Sequence, residues 1–367
     1  MKYDTNRYTI YEKNGQLFGK EKEHEILKDD KTVLIQKLGE EEELDISISD
    51  AFDKIDASAI IDRGDKVAIK INLGGGIHHV LPTYSDPLIC EAILKKVKKM
   101  GGIPFVCEAN MRAHIMHDKL LKIRGYLDML KRNNVKFVNL STSTTVDLEC
   151  FHLDIPLKLP EILLKPDVKI ISFAPPKHHW ECGITCNQKN MYGAIAEQRK
   201  SIFHRKYDRI DKAVAAASRI MSPDINILAT YALGAGMGPH FVVPIKFNRL
   251  VISRDMIRGD KAMAEILGYP FERVKYARIN ANNRIVEYDL HPDSQIPKKE
   301  ILNLIKENSI DYDNVNFWKP ALYLQYFIPH RFQIKVYPPL EFIFTWFNKT
   351  FATSQNFILG LKREKAT

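Results

Sequence analysis

Short apolar runs alternate with longer amphipathic stretches along most of this chain. The apolar runs predict strands at residues 32–36, 66–73, 103–107, 135–139, 168–174, 225–231 and 249–253. The amphipathic stretches predict helices at residues 49–57, 87–100, 118–131, 207–221, 257–267 and 298–307. Strands this apolar, separated by helices, are typical of a parallel sheet that is buried on both faces. We therefore predict an α/β fold with a mixed, mainly parallel sheet covered by helices on both faces.

The same pattern divides the chain into four parts. Residues 1–60 are charged and predict a peripheral N-terminal segment, and residues 61–285 hold the α/β domain. Residues 286–316 predict a helical extension, and residues 317–367 form a tail rich in aromatic and basic residues. Such a tail suits a membrane–water interface, and the alternative is that its aromatic residues cover the core or a dimer interface.

Composition and charge restrict the classes of protein. With 45% hydrophobic and 27% charged residues, the 367-residue chain has the composition of an ordinary globular protein. Five cysteines do not suggest a disulfide framework, and the N-terminus has no apolar stretch typical of a signal peptide. No apolar run reaches the roughly 18 residues of a transmembrane helix. We expect a cytoplasmic protein, and the alternative is a protein that also associates with a membrane surface through residues 317–367.

The net charge of +9 bears on the partners that this protein binds. The lysines are dispersed, and no zinc-finger, RNP-like or basic-zipper pattern is present, so nucleic-acid binding is not expected. A basic surface also attracts small anions or acidic lipid headgroups. The expected partner is therefore a small anionic ligand, and the sequence does not fix the oligomeric state.

The run PPKHHWECGITCNQKNMYG at residues 175–193 comes directly after the predicted strand at 168–174 and is dense in polar groups. Ligands of open α/β sheets bind at the carboxyl ends of strands. Lysines there balance a carboxylate or phosphate, and hydroxyl and amide groups orient it. A histidine transfers a proton near neutral pH. The candidates are His179, His204 and Lys189 for catalysis, and Lys177, Thr185 and Asn190 for substrate binding. The alternative is a solvated basic loop.

Two further segments add candidates to the same edge. Lys70 and Asn72 alternate along one face of the strand at 66–73, and a lysine so near a sheet centre needs a partner. The glycine-rich turn at 233–240 contributes Gly236 and Gly238 as substrate-binding positions. Its spacing differs from the dinucleotide fingerprint, so we do not expect NAD binding.

Metal binding is the least specific part of this prediction. Asp255 and Asp260 lie at a strand-to-helix junction and are the candidate ligands for a divalent cation, although Asp255 also suits a helix cap. Cys182 and Cys186 are a weak zinc site because the chain has no second cysteine pair, which favours two semi-buried thiols.

Taken in order, these residues resemble the DUF362 family of uncharacterised bacterial and archaeal proteins. The resemblance spans about residues 66–268 and rests on Lys70, Asn72, Asp86, Pro87, Lys177, His179, Thr185, Lys189, Asn190, Gly193, His204, Gly236, Gly238, Pro239, Asp255 and Asp260. Family members often carry a ferredoxin-like C-x-x-C-x-x-C segment that this chain lacks, so no iron–sulfur cluster is expected. They also often have an aspartate where this chain has the stretch Leu228–Ala229–Thr230.

These candidates together indicate an expected function. We predict an enzyme acting on a small carboxylate or phosphate substrate at the strand carboxyl ends, with a divalent metal as the candidate cofactor. The alternative is a non-catalytic anion-binding or scaffold protein that docks on a membrane through residues 317–367.

Overall fold

The computed structural model describes residues 1–74, 81–111, 115–206, 208–239 and 241–309. The strands in this part of the chain are β1 (Tyr3–Asp4), β2 (Tyr8–Lys13), β3 (Gln16–Glu21), β4 (Thr32–Lys37), β5 (Lys66–Lys70), β6 (Ile103–Glu108), β7 (Phe137–Asn139), β8 (Thr145–Glu149), β9 (Leu157–Pro160), β10 (Val168–Ala174), β11 (Lys177–His179), β12 (Gly183–Thr185), β13 (Ile225–Met237), β14 (Phe241–Ser253) and β15 (Asp289–Leu290). The α-helices are α1 (Leu44–Lys54), α2 (Pro87–Lys99), α3 (Asp118–Ile123), α4 (Tyr126–Arg132), α5 (Asn187–Gly193), α6 (Arg209–Ile220), α7 (Met256–Ile266), α8 (Lys275–Asn280) and α9 (Lys299–Glu307).

The main sheet has the strand order β15-β4-β14-β13-β10-β5-β6-β7. All pairings from β13 through β10, β5 and β6 to β7 are parallel, and β15 runs parallel to β4. Only β14 runs antiparallel to both of its neighbours on this path, β13 and β4. The prediction of a mixed, mainly parallel sheet is confirmed.

Helices cover both faces of this sheet, as the sequence predicts. Strand β5 shows the division, because Val67 and Ile69 point into one hydrophobic core and Ala68 into the other. The first core contains the buried faces of α1, α2, α3 and α4, and the second contains those of α5, α6, α7 and α8. Because side chains alternate across a strand, a strand buried on both faces must be apolar throughout.

A second sheet, which the sequence analysis did not predict, lies over the second core. Its order is β1-β2-β3-β8-β9. Tyr8 and Ile10 of β2 are buried in this core, and the Tyr8 hydroxyl donates to the Leu164 carbonyl oxygen at 2.6 Å. Since β4 also lies inside the main sheet, the first 60 residues contribute strands to both sheets.

Several elements differ in extent from the predictions. The helix expected at 118–131 is two helices, α3 and α4, separated at Gly125. Strands β13 and β14 extend well beyond the predicted ranges because they pair with each other as a long antiparallel hairpin. Among the described helices, none is long and apolar enough to cross a bilayer. The aromatic tail at 317–367 lies outside the described residues.

A buried ion pair fastens the second sheet to α6. Arg219 donates through Nη2 to Glu21 Oε2 at 2.8 Å and through Nε to Glu21 Oε1. Its Nη1 donates to Asn280 Oδ1 at 3.2 Å. Removal of one member of such a pair leaves a buried charge without its partner.

We expect Glu21→Gln to lower the free energy of unfolding by about 3–5 kcal/mol, because Arg219 would remain buried and charged. The matched control is Asp167→Asn, which breaks the exposed Lys66–Asp167 pair and should change the value by less than about 1 kcal/mol. Urea denaturation followed by circular dichroism measures both. Equal effects of the two substitutions would contradict a structural role for the buried pair.

Candidate functional site

Lys70, the last residue of β5, lies fully buried at the carboxyl end of the main sheet. Its Nζ lies 2.9 Å from Glu108 Oε1, at the end of the neighbouring strand β6. The same ammonium donates to the Ile71 carbonyl oxygen at 2.6 Å and to Asn190 Oδ1 at 3.1 Å. The carboxyl ends of two parallel strands and α5 therefore meet at one lysine.

Asn190 joins α5 to the sheet. Its Nδ2 donates to the Lys70 carbonyl oxygen at 3.0 Å and to Ser172 Oγ at 3.1 Å, so it bridges β5 and β10. Its Oδ1 accepts from Lys70 and from Asn72 Nδ2, the latter at 3.5 Å. Both ends of the amide are occupied by protein groups, so Asn190 acts here as a brace that positions its neighbours.

Lys177 on β11 continues this hydrogen-bond chain. Its Nζ donates to Asn72 Oδ1 at 3.2 Å and to the Thr83 carbonyl oxygen at 2.8 Å. Both acceptors are neutral. Burial lowers the pKa of Lys177 to about 7, because removal of water disfavours the charged ammonium.

Lys200, which the sequence analysis did not single out, lies in a short 3₁₀ helix that also carries His204. Its Nζ donates to the carbonyl oxygens of Asn110 at 2.9 Å and Gly193 at 2.8 Å. A Cβ at Gly193 would lie 3.0 Å from Lys70 Nζ, so the glycine allows two ammonium groups to approach the same turn. Burial lowers the pKa of Lys200 to about 7.

Lys189 on α5 lies close to Lys177 and Lys200. Its Nζ stands 4.5 Å from the centre of the Tyr192 ring, a cation–π contact. After burial, the charge of Lys189 is among the causes that lower the pKa of both Lys177 and Lys200. We call Lys70, Lys177, Lys189 and Lys200 the lysine cluster. Within the described part of the chain, only Lys70 of the cluster is ion-paired with a carboxylate.

The Thr185 hydroxyl belongs to the same region, because Thr185 pairs with Lys177 in the β11–β12 ladder. Thr185 Oγ1 is buried and has no hydrogen-bond partner among the described residues. Buried hydroxyl groups are rarely left without a partner, because the loss of hydration is unfavourable. This hydroxyl is therefore available to a ligand.

Glu181 and His204 form a buried pair close to the lysine cluster. His204 Nδ1 lies 2.9 Å from each carboxylate oxygen of Glu181. Burial alone would raise the pKa of Glu181, but the charge and hydrogen bond of His204, with His179 and Lys189, hold it well below its usual range. The sequence analysis did not select Glu181, since nothing in the sequence links it to His204.

The two adjacent histidines of β11 point in opposite directions, as expected for a strand. His179 Nδ1 accepts from the backbone N–H groups of Glu181 at 3.1 Å and Cys182 at 3.2 Å, and so supports the β11–β12 turn. His178 Nε2 lies 2.9 Å from the Leu267 carbonyl oxygen on the other side. Burial lowers the pKa of His178 to about 4, which keeps its imidazole neutral at pH 7.

Gly236 and Gly238, predicted to bind substrate, pack against β11. The Gly236 N–H donates to His178 Nδ1 at 3.2 Å. The Trp180 N–H donates to the Gly238 carbonyl oxygen at 2.9 Å. A Cβ at Gly238 would lie only 2.0 Å from the His178 carbonyl oxygen, so glycine is needed for this close approach. In this structure the two glycines serve packing of the β13–β14 hairpin.

Asp255 and Asp260, the predicted metal ligands, both accept hydrogen bonds from backbone N–H groups at helix N-termini. Asp255 Oδ1 accepts from the N–H groups of Ile257 at 2.8 Å and Arg258 at 2.9 Å and caps α7, the alternative that the sequence left open. Asp260 accepts from the first two amides of α5, Asn187 at 2.8 Å and Gln188 at 3.1 Å.

These carboxylates are thus occupied by N–H donors. Burial raises the pKa of Asp260 to about 7, while the amide donors act against that rise. Among the described residues, no group of three or more histidine, cysteine, aspartate and glutamate side chains is placed to hold a metal ion. Cys182 and Cys186 are buried thiols that form no disulfide with a described residue, and burial raises the pKa of Cys186 well above its usual value.

A family model supports the resemblance seen in the sequence. The model described as "Domain of unknown function (DUF362)" matches residues 67–265. This chain belongs to the DUF362 family. The matched range contains the whole lysine cluster, together with Glu181 and His204.

Other comparisons add little about DUF362 function. No curated protein matches this chain. A crystal structure of a protein from Thermotoga maritima, a structural genomics target, is similar with a TM-score of 0.41 and 13% sequence identity. The alignment covers 68% of this chain, and the chain spans only 60% of that protein's length.

The buried lysines make the stability of this DUF362 protein depend on pH. Lys177 binds a proton more weakly in the folded state, with a pKa of about 7, than at its ordinary value of 10.5. Between these values the unfolded chain holds more protons, so the free energy of unfolding should rise with pH from about 7 to about 10.5. We expect Lys177→Met to rise less steeply than wild type in urea denaturation at pH 7.5 and 9.5.

The control for this measurement is Lys95→Met, since the Lys95 side chain is 48% exposed. That variant should keep the wild-type dependence on pH. If Lys177→Met keeps it as well, Lys177 does not titrate in this range.

Proposed function

We propose that this DUF362 protein is an enzyme acting on a small substrate that carries a carboxylate or phosphate group. The lysine cluster would hold that group at the carboxyl ends of β5 and β10, next to the first residue of β11. One observation carries the proposal: Lys177 and Lys200 are buried and hydrogen-bonded only to neutral oxygen atoms among the described residues.

Electrostatics favours an anion at this position. Burial of an ammonium group is unfavourable and lowers the pKa of both Lys177 and Lys200, and the nearby charge of Glu108 offsets only part of this effect. A bound carboxylate or phosphate would supply the missing negative charge through charge-assisted hydrogen bonds. The Thr185 hydroxyl would supply a further donor.

Burial limits the size of the ligand group. Lys177 is 1%, Lys200 is 3% and Lys189 is 9% exposed. This low exposure favours a single carboxylate or phosphate group over a folded macromolecular surface as the ligand. We assign charge neutralisation to these three lysines, with Lys189 nearest to solvent. Lys70 is already neutralised by Glu108 and is connected to Lys177 through Asn190 and Asn72.

The non-catalytic anion-binding protein is the alternative and would use the same cluster. The buried Glu181–His204 pair beside the cluster favours the enzyme, because a carboxylate–histidine pair suits proton transfer. The membrane-docking part of the alternative depends on residues 317–367, outside the described residues, and has no support here.

Anion binding should be coupled to proton uptake. At pH 8 Lys177 and Lys200, with pKa values of about 7, are largely neutral, and a bound anion raises the pKa of an ammonium next to it. Calorimetric titration with phosphate and with small carboxylates in two buffers of different ionisation enthalpy should show protons taken up. Affinity for a carboxylate should fall between pH 7 and pH 9, and a pH-independent affinity would contradict this arrangement.

Lys189→Met should weaken phosphate or carboxylate binding by about 10-fold or more, since a hydrogen bond to a charged group contributes roughly 1.5–3 kcal/mol. Lys95→Met, which removes an exposed lysine outside the cluster, should bind as wild type does. Circular dichroism checks that both variants are folded. Unchanged affinity in folded Lys189→Met would show that Lys189 does not bind the anion.

The enzyme and the non-catalytic protein differ in the fate of the bound molecule. NMR spectra of a panel of small carboxylates and phosphate esters, incubated with wild type or with Lys189→Met, detect conversion directly. Conversion by wild type alone supports the enzyme. Binding to the wild-type cluster without any conversion across the panel favours the non-catalytic alternative.

A further inference from the structure

The geometry of the Glu181–His204 pair distinguishes the two imidazole nitrogens. Nδ1 faces both oxygens of a carboxylate, at 2.9 Å each. An ionised carboxylate only accepts hydrogen bonds, so Nδ1 carries a proton whether the imidazole is neutral or charged. Nε2 is then the nitrogen that gains and loses a proton.

Nε2 is connected to Lys189 of the lysine cluster through Tyr192. It lies 3.5 Å from the Tyr192 hydroxyl, at the outer limit of a hydrogen bond. The ring of the same tyrosine contacts the Lys189 ammonium on its face. An oxygen atom of a ligand bound at Lys189 would compete with this long contact for Nε2.

The charges around the pair keep Glu181 ionised. The positive charge of Lys189 on α5 lowers the pKa of Glu181, in addition to the larger effect of His204. On α6, Asp211 is close enough for the charge of Glu181 to raise its pKa, although burial is the main cause of its rise to about 6. Lys200 adds a positive group at the other end of the 3₁₀ helix that carries His204.

We infer that His204 is the acid–base residue of the proposed site and that Glu181 is the residue that positions it. The inference rests on the proposed function. A proton of the bound substrate passes to His204 Nε2, and the electron pair of the broken bond stays on the substrate. The Nδ1 proton stays bonded to Glu181, the lysine cluster stabilises the negative charge, and Nε2 later returns the proton. His179 does not fit this role, because its Nδ1 accepts from two backbone amides of the turn.

The test is NMR of the full chain labelled with ¹⁵N histidine, with His204 assigned by its absence in His204→Gln. In wild type above neutral pH we expect one tautomer, protonated at Nδ1. In Glu181→Gln the side-chain amide can either donate or accept, so the tautomers should mix. The control is Glu12→Gln, an exposed glutamate on β2, which should keep the wild-type tautomer. A purely structural role for Glu181 would leave the tautomer unchanged in a folded variant.

Titration with inorganic phosphate then distinguishes a failure of this inference from a failure of the proposed function. Phosphate should shift the Nε2 resonance of His204, and Glu181→Gln should bind phosphate as well as wild type or better, because it removes a negative charge. Any conversion found with wild type should fall by about 100-fold or more in His204→Gln.

Two results overturn the inference: a His204 protonated at Nε2 alone in wild type, or phosphate bound at the cluster with unmoved His204 resonances. A lack of phosphate and carboxylate binding by calorimetry, with the Nδ1 tautomer intact, contradicts the proposed function instead.

Discussion

The candidate site depends on one constraint, the burial of lysine ammonium groups at the carboxyl end of a parallel sheet. Water is excluded there, so each ammonium must find its hydrogen-bond acceptors within the protein. Lys70 has a carboxylate, Glu108, whereas Lys177 and Lys200 have only carbonyl and amide oxygens among the described residues. The result is a region of net positive charge with low solvent access. Such a region disfavours its own protonation and favours an incoming anion for the same electrostatic reason.

Much of the surrounding structure serves to hold these lysines in place. Helix α5 carries Lys189 and Asn190, and its N-terminal amides are satisfied by Asp260 of α7. Asn190 fastens the middle of the helix to β5 and β10, and Gly193 at its end allows close approach of Lys70. Asp260 and Asn190, whose side chains are typical of ligand-binding sites, thus hold α5 in position. Two short strands, β11 and β12, complete the arrangement by placing Lys177 opposite Thr185.

Positively charged lysines and a negatively charged carboxylate lie next to each other in this site. The lysine cluster lies beside Glu181 and His204, and Lys189 is near enough to influence the pKa of Lys177, Lys200 and Glu181. A carboxylate-bound histidine next to a region that attracts anions is an arrangement suited to proton transfer on a charged substrate. Membership of DUF362 does not name a substrate, so the proposal rests on the buried lysines and on the Glu181–His204 pair.

The sequence by itself determined the alternation of buried strands and helices. A strand covered on both faces is apolar along its whole length, and the segment that follows it at the sheet edge is polar. The sequence also placed Lys70 and Asn72 near the end of one strand and Lys177, Lys189 and Asn190 in the segment after another, where ligands of α/β sheets bind. It could not assign their partners, since Lys70 and Asn190 are 120 positions apart. Nor could it show that Asp260 accepts from the amides of α5, that Lys200 joins the cluster or that Glu181 faces His204. Those facts depend on which segments the fold brings together, and only the tertiary structure decides which charged group a buried charge meets.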